Sequence, residues 1–245
     1  MRRNLLPALL VVALALAGGK ALAAASDTTR PPSFEEWSGN VAAVTDYRFR
    51  GVSQTSSNPA LQGGGDWVYN ELIYAGTWVS NVDFNDGSNA KLEWDIYGGV
   101  RPKLGPVTLD LGFRQFVYPG SKSERQLNYL DFVAGIGYQA GDASISGNLD
   151  YSRDNNGGTG ESFYWSADLY WPAWGNLRAS AHLGYQSIED NARAGLDDYA
   201  TWTLELGYTY ERIEIFAAYV DTTLERRQCG DDCAARLVLG IYKGF

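Results

Sequence analysis

Fifteen consecutive positions on one side of a period-two pattern are apolar or aromatic, and this regularity limits the fold more than any other feature of the chain. They lie in segments 163–171, 177–186 and 200–209: Phe163, Trp165, Ala167, Leu169, Trp171, Leu177, Ala179, Ala181, Leu183, Tyr185, Ala200, Trp202, Leu204, Leu206 and Tyr208. The alternate positions, from Tyr164 and Ser166 through His182 to Glu205 and Thr209, hold no aliphatic residue. With hydrophobic residues at 45% of the chain, such a run arises by chance on the order of once in 100,000. Side chains alternate in facing only along a β-strand. These segments are strands with one apolar and one polar face.

The same alternation places nine more strands near 41–52, 61–69, 72–80, 91–101, 107–118, 128–138, 143–152, 213–221 and 235–245, twelve in all. Segment 72–80 has no clear facing. Lengths are close to the roughly 9–11 residues with which a tilted strand crosses a bilayer. The connections alternate too. Those at 53–60, 81–90, 119–127, 153–161, 187–198 and 222–234 are long and polar, while 70–71, 102–106, 139–142, 172–174 and 210–212 are short. Long loops at one rim and short turns at the other are expected of an outer-membrane barrel with both termini in the periplasm.

Period two alone also fits a soluble sandwich with its apolar face inward. Charges recurring mid-strand on the polar face favour a wet lumen, and aromatics near strand ends at the short-turn rim (Tyr69, Tyr138, Trp171, Trp174, Tyr208, Tyr210) suit an interfacial girdle. The fold class read from the sequence is therefore all-β, a transmembrane antiparallel β-barrel of twelve strands over 37–245. Arg2, Arg3, the apolar run from Leu5 to Ala17 and the small residues Ala21 to Ala25 read as a cleaved signal peptide, 1–23, with the cut as late as 25. Residues 24–36 form a periplasmic linker. A formal charge of −9 argues against nucleic acid as a partner.

Little in the chain suggests catalysis. His182 is the only histidine, so a triad or a histidine-rich metal site has little to build on, and neither metal nor cofactor is expected. Cys229 and Cys233 bracket Gly230-Asp231-Asp232 in the last long loop, and a small disulfide ring suits an exported chain. Loop 153–161, rich in acids and glycine, lacks calcium-ligand spacing and reads as a flexible extracellular loop. Gly63-Gly64-Gly65 marks a bulge or sharp curvature.

The sequence Thr45-Asp46-Tyr47-Arg48-Phe49-Arg50-Gly51-Val52-Ser53-Gln54, followed by Asn58-Pro59-Ala60-Leu61-Gln62-Gly63, resembles the opening signature of the Gcw_chp family, also called TorF-type porins. Tyr74-Ala75-Gly76-Thr77-Trp78 with Ser80-Asn81-Val82-Asp83-Phe84 resembles its second block, and Tyr118-Pro119-Gly120 its third. The resemblance covers essentially the whole mature chain. It implies an outer-membrane porin and supplies no substrate or catalytic residue. Outer-membrane barrels usually carry an aromatic or apolar residue two before the terminal Phe; here that place holds Lys243.

The inward charges carry the functional expectation. Ten acids (Asp46, Asp66, Glu93, Asp95, Asp110, Asp131, Asp150, Asp168, Glu205, Glu214) face six bases (Arg48, Arg50, Lys91, Arg114, Arg178, Arg236). Arg48 and Arg50 near the top of strand one and Arg236 on strand twelve are expected to gather at the closing seam. Glu93, Asp95, Asp131, Asp150 and Asp168 would line the opposite wall as an acidic face. Twelve strands about 4.8 Å apart and tilted about 40° enclose a backbone radius of roughly 12 Å. A narrow, weakly cation-preferring channel for small hydrophilic solutes or ions is the first expectation. A closed barrel with extracellular binding loops is the second, and an enzyme acting on lipid the third. The expected partners are outer-membrane lipid, the small hydrophilic solutes themselves, and the barrel assembly machinery, which would engage the C-terminal strand.

Overall fold

The computed structural model describes residues 35–245; the signal peptide and linker residues 24–34 lie outside the described residues. Twelve strands form one closed antiparallel sheet: β1 (Glu35–Val44), β2 (Ala60–Tyr69), β3 (Ile73–Asn81), β4 (Leu92–Val100), β5 (Val107–Val117), β6 (Tyr129–Ala140), β7 (Ala143–Ser152), β8 (Ser162–Trp174), β9 (Leu177–Ile188), β10 (Tyr199–Tyr210), β11 (Ile213–Thr222) and β12 (Arg236–Gly244). Each pairs with its successor. β1 and β12 close the ring, with register Asn40↔Gly244 to Val44↔Gly240. Closure leaves no row of backbone N–H and C=O groups facing hydrocarbon, as a membrane requires.

The apolar face points outward. Leu61, Trp94, Ile136, Leu183, Leu204 and Leu239 are exposed on the outer wall. At the short-turn rim Tyr69, Tyr138, Trp171, Trp174, Tyr208 and Tyr210 are exposed too, joined there by Trp37 at 77%. A soluble sandwich would bury these residues, so the sandwich is excluded. Lys243 is exposed on the outer wall, its ammonium 5.2 Å from the centre of the Phe245 ring. A flexible stem lets it keep its charge in water at the rim.

Four local expectations are corrected. The first strand is Glu35–Val44, not 41–52, so Glu35 and Glu36 belong to the barrel and pair with Tyr69 and Val68 rather than ending a linker. The ladder runs through Gly63, Gly64 and Gly65 without a register shift, so they are no bulge; a Cβ on Gly64 would lie 2.7 Å from the Thr77 carbonyl oxygen. Loop 153–161 is tied down rather than free, with Thr159 buried and the Gly157 N–H donating to the Gln126 carbonyl. Strand β3, unassigned from sequence, turns Tyr74 and Ser80 to the buried inner side, with Gly76 and Trp78 half-buried beside them, and leaves Thr77 outside. A Trp inside and a Thr outside had cancelled the pattern.

Candidate functional site

The decisive departure follows β1. Residues 45–58 do not continue the wall but turn into the barrel and cross it. Arg48–Phe49 pairs with Val52–Ser53 as a minimal hairpin. Its two turn residues, Arg50 and Gly51, have φ of 48° and 85°, the mirror-image turn that suits the twist of paired strands. Gly51 is required twice over, because a Cβ there would also run into the side chains of Thr201 on β10 and Thr222 on β11.

One side of this crossing loop is apolar. Tyr47 packs against Trp78 with ring centres 5.3 Å apart, and Phe49 against Phe116 at 5.4 Å. Phe216, Ala218, Val220 and Val238, all inward and all buried, complete a small hydrophobic core inside the barrel. Gly240 makes room for the Phe216 ring, which would collide with any Cβ there. The Tyr47 hydroxyl donates to Glu93 at 2.6 Å, and the Tyr118 hydroxyl donates to the other oxygen of the same carboxylate at 2.7 Å.

The polar side of the loop is held by its two arginines in different places. Arg48, completely buried, pairs through Nε with Asp46 at 2.7 Å. Its Nη1 donates to the carbonyls of Gly51, Asp232 and Ala234 at 3.1, 2.8 and 3.1 Å. The Ser53 N–H donates to Asp232 O at 2.8 Å. Asp232 and Ala234 flank Cys233, which is joined to Cys229 by a disulfide and buried against Tyr199 and Leu224. The disulfide loop thus grips the crossing loop from above.

Arg50 reaches the opposite wall. Its Nη2 donates to Asp131 at 2.7 Å and Asp150 at 3.1 Å, and its Nη1 to Gln186 Oε1 at 3.0 Å. The guanidinium lies 4.6 Å from the Tyr164 ring centre and 4.8 Å from that of Phe49. Below it runs a hydrogen-bonded chain: the Tyr164 hydroxyl is 2.6 Å from His182 Nε2, and His182 Nδ1 is 2.7 Å from Asp168. Asp168 is the wet end of this chain, its side chain 29% exposed.

The expected partition of charge is therefore corrected. Arg48 and Arg236 do meet at the seam, Arg236 lying 3.7 Å from Asp46, but Arg50 leaves them for the acidic wall. That wall is divided as well. Asp131 and Asp150 share Arg50, Glu93 binds two tyrosines, Asp95 lies in the field of Arg114, and Asp168 binds His182. Lys91, expected inside, is exposed and pairs with Asp83 above the rim. Arg101 takes its place in the lumen, paired with Asp110 at 2.8 Å. Sequence reasoning missed it, although its parity with Glu93 and Asp95 was the signal that could have found it; the exchange of Lys91 for Arg101 leaves the count at ten acids and six bases. Arg178 bridges Glu205, at 2.6 Å, and Glu214 nearer the short-turn rim.

The two halves of the lumen differ. Beside β1 to β5, β11 and β12 it is packed with the loop and its apolar partners. Along β6 to β9 the inner face carries small and hydrogen-bonding groups, among them Ser144, Ser146, Asn148, Ser166, Asp168 and Tyr170, all half-buried. Between this polar face and the outer rim stands the Arg50 cluster.

The barrel is similar to solved outer-membrane porins. The KdgM porin aligns with TM-score 0.59 and 8% identity over 85% of this chain and 99% of its own. The NanC porin aligns with TM-score 0.58 and 12% identity over 84% and 98%. A KdgM porin in complex with disordered oligogalacturonate gives 0.57 and 9% over 85% and 99%. A search of curated proteins found no match. The model of one family, "Bacterial protein of unknown function (Gcw_chp)", matches residues 28–239, and the chain, a twelve-stranded barrel with the fold of outer-membrane porins, belongs to that family.

Proposed function

We propose that the protein is an outer-membrane channel for small hydrophilic solutes or ions, in which the polar face of β6 to β9 lines the path and the crossing loop 45–58 narrows or closes it. The observation that carries this reading is the divided lumen: Ser144, Ser146 and Asn148 of β7 and Ser166, Asp168 and Tyr170 of β8 are half-buried, whereas Arg48, Asp46 and Phe116 on the packed side are buried. The porin fold and the outward aromatic girdle support an outer-membrane location, with lipid around the wall and the assembly machinery engaging β12. No reaction is assigned to the protein. Ten inward acids against six bases favour weak cation preference, reduced by salt screening. The oligogalacturonate of the KdgM complex is not carried over, because acidic walls oppose an acidic sugar. Conductance of the refolded protein in a planar bilayer tests the reading, with reversal potentials in a salt gradient for the preference; anion preference would overturn the assignment of the path. The second reading, a closed barrel presenting its outer loops to a partner, is favoured by the reach of loop 45–58 from Glu93 to Asp150 across the lumen. Absence of stepwise current from the unsubstituted protein and from its loop variants would decide for it.

A further inference from the structure

We propose that Asp131, Asp150, Gln186 and Tyr164 form a receptor site for a guanidinium-bearing solute, and that Arg50 of the crossing loop occupies it as a tethered substitute. Four features of the wall match that head group and not a simple cation. Two carboxylates and one amide oxygen accept from two different nitrogens of one planar fork, at 2.7, 3.1 and 3.0 Å. The centre of the Tyr164 ring lies 4.6 Å from the guanidinium carbon. Planar donors over a ring, with carboxylates at the edge, are the arrangement that separates a guanidinium from an ammonium or a metal ion.

Two of the four groups, Gln186 and Tyr164, are held by the wall itself. The Gln186 side-chain amide donates to the carbonyls of Phe163 and Ser187, which turns its oxygen toward the site. Tyr164 is fixed through its hydroxyl by His182. Asp131 is 1% exposed, and its second oxygen, Oδ1, is buried without a hydrogen-bond partner among the described residues. A buried carboxylate with one oxygen unanswered offers more accepting capacity than Arg50 uses. Asp95 Oδ1 is likewise buried and unanswered nearby. Asp150, with 12% of its side chain exposed, is the member that faces the polar half of the lumen. A solute arriving along β6 to β9 meets the site there. Binding to the wall follows from the geometry alone; an effect of such binding on passage rests on the channel reading.

The test is chemical replacement of the missing side chain. Arg50→Asn is suited to it, because Asn followed by Gly is the preferred pair for this turn and the shorter side chain vacates the site. Folding is verified by the shift in electrophoretic mobility between unboiled and boiled protein. Calorimetric titration in detergent with guanidinium chloride, against sodium and methylammonium chloride at equal ionic strength, is expected to show guanidinium binding. Adding Asp131→Asn and Asp150→Asn should weaken it about tenfold or more, the scale of one lost charge-assisted hydrogen bond. Unsubstituted protein, its site filled by Arg50, should bind at least about tenfold more weakly than Arg50→Asn. Equal binding with and without the two aspartates, or guanidinium indistinguishable from sodium, overturns the proposal. Arg50→Ala gives the same comparison if the asparagine variant does not fold. Bilayer current separates the two readings: binding without current refutes the channel and keeps the site, whereas current unaffected by guanidinium, with no calorimetric binding, refutes the site and keeps the channel.

Discussion

The hydroxyl of Tyr164 lies 2.6 Å from Nε2 of His182, and that single bond connects the aromatic platform beneath Arg50 to the half-exposed carboxylate of Asp168. Tyr164→Phe keeps the ring under the guanidinium and removes the connection. The buried imidazole nitrogen then has no partner, at a cost of about 1–3 kcal/mol. Urea unfolding of the protein refolded into vesicles should show that loss. A change smaller than about 0.5 kcal/mol, the scale of an inconsequential substitution, would mean that the chain of three residues holds nothing in place.

A second prediction concerns the tip of the crossing loop. Gly51→Ala forces a side chain into a left-handed conformation and into Thr201 and Thr222, with strain of roughly 1–2 kcal/mol before the collision is counted. The loop should leave its seat. Trypsin cleaves after arginine, and Arg48 and Arg50 are buried in the unsubstituted protein, so cleavage at these two sites should appear only in the variant. Equal resistance in both proteins would refute the seat as drawn.

Reduction, or Cys229→Ser with Cys233→Ser, should leave the barrel closed and the boiled-to-unboiled mobility shift unchanged, since the disulfide lies above the ladder. The effect belongs to the loop below. Asp232 and Ala234 present their carbonyls to Arg48, and Asp232 also accepts from the Ser53 N–H. Opening the ring should speed amide exchange at Ser53 by about tenfold, equivalent to about 1.4 kcal/mol of local order. Unchanged exchange at Ser53 would show that the ring and the crossing loop are independent.

The same contact carries a pH dependence. Burial raises the carboxyl of Asp232 above the usual carboxylate range, with Asp46 adding to the rise and the nearby Arg48 opposing it. A carboxyl with a raised folded-state value binds its proton more readily in place than when the loop is released. The contact is therefore strengthened as pH falls through that range and weakened as pH rises above it. Protection of the Ser53 amide, corrected for intrinsic exchange, should increase as pH is lowered from neutrality through the carboxylate range, and Asp232→Asn should flatten the trend. A decrease in protection over that interval would contradict the assigned direction.

Ten of the twelve strands were legible in position and facing because inward and outward residues alternate along them, which only a strand produces; the strand at 73–81 was legible in position alone, its inward Trp78 and outward Thr77 hiding the facing. The first was misplaced for a physical reason. Asp46, Arg48 and Arg50 alternate with Tyr47 and Phe49 just as a wall strand would, and the minimal hairpin is itself extended. Alternation reports a strand-like backbone; it does not report whether the apolar side meets lipid or another part of the interior. The missing information sat on the wall. Phe216, Ala218, Val220 and Val238 occupy the inward parity of β11 and β12 and are apolar, which a water-filled lumen has no use for. The Arg50 site was half visible, since Asp131 and Asp150 were read as inward, but their partner came from a residue assigned to the other side.

The seam between β1 and β12 also fixes where the loop is anchored. Asn40 pairs with Gly244, and the Phe245 N–H donates to the Gly39 carbonyl at 2.9 Å, while β2 pairs along the other edge of β1. Loop 45–58 hangs directly from this doubly held strand at the long-loop rim. Phe49 on Phe116 ties it to β5 and Tyr47 on Trp78 ties it to β3, so the hairpin works as an internal strut that resists flattening of the cylinder.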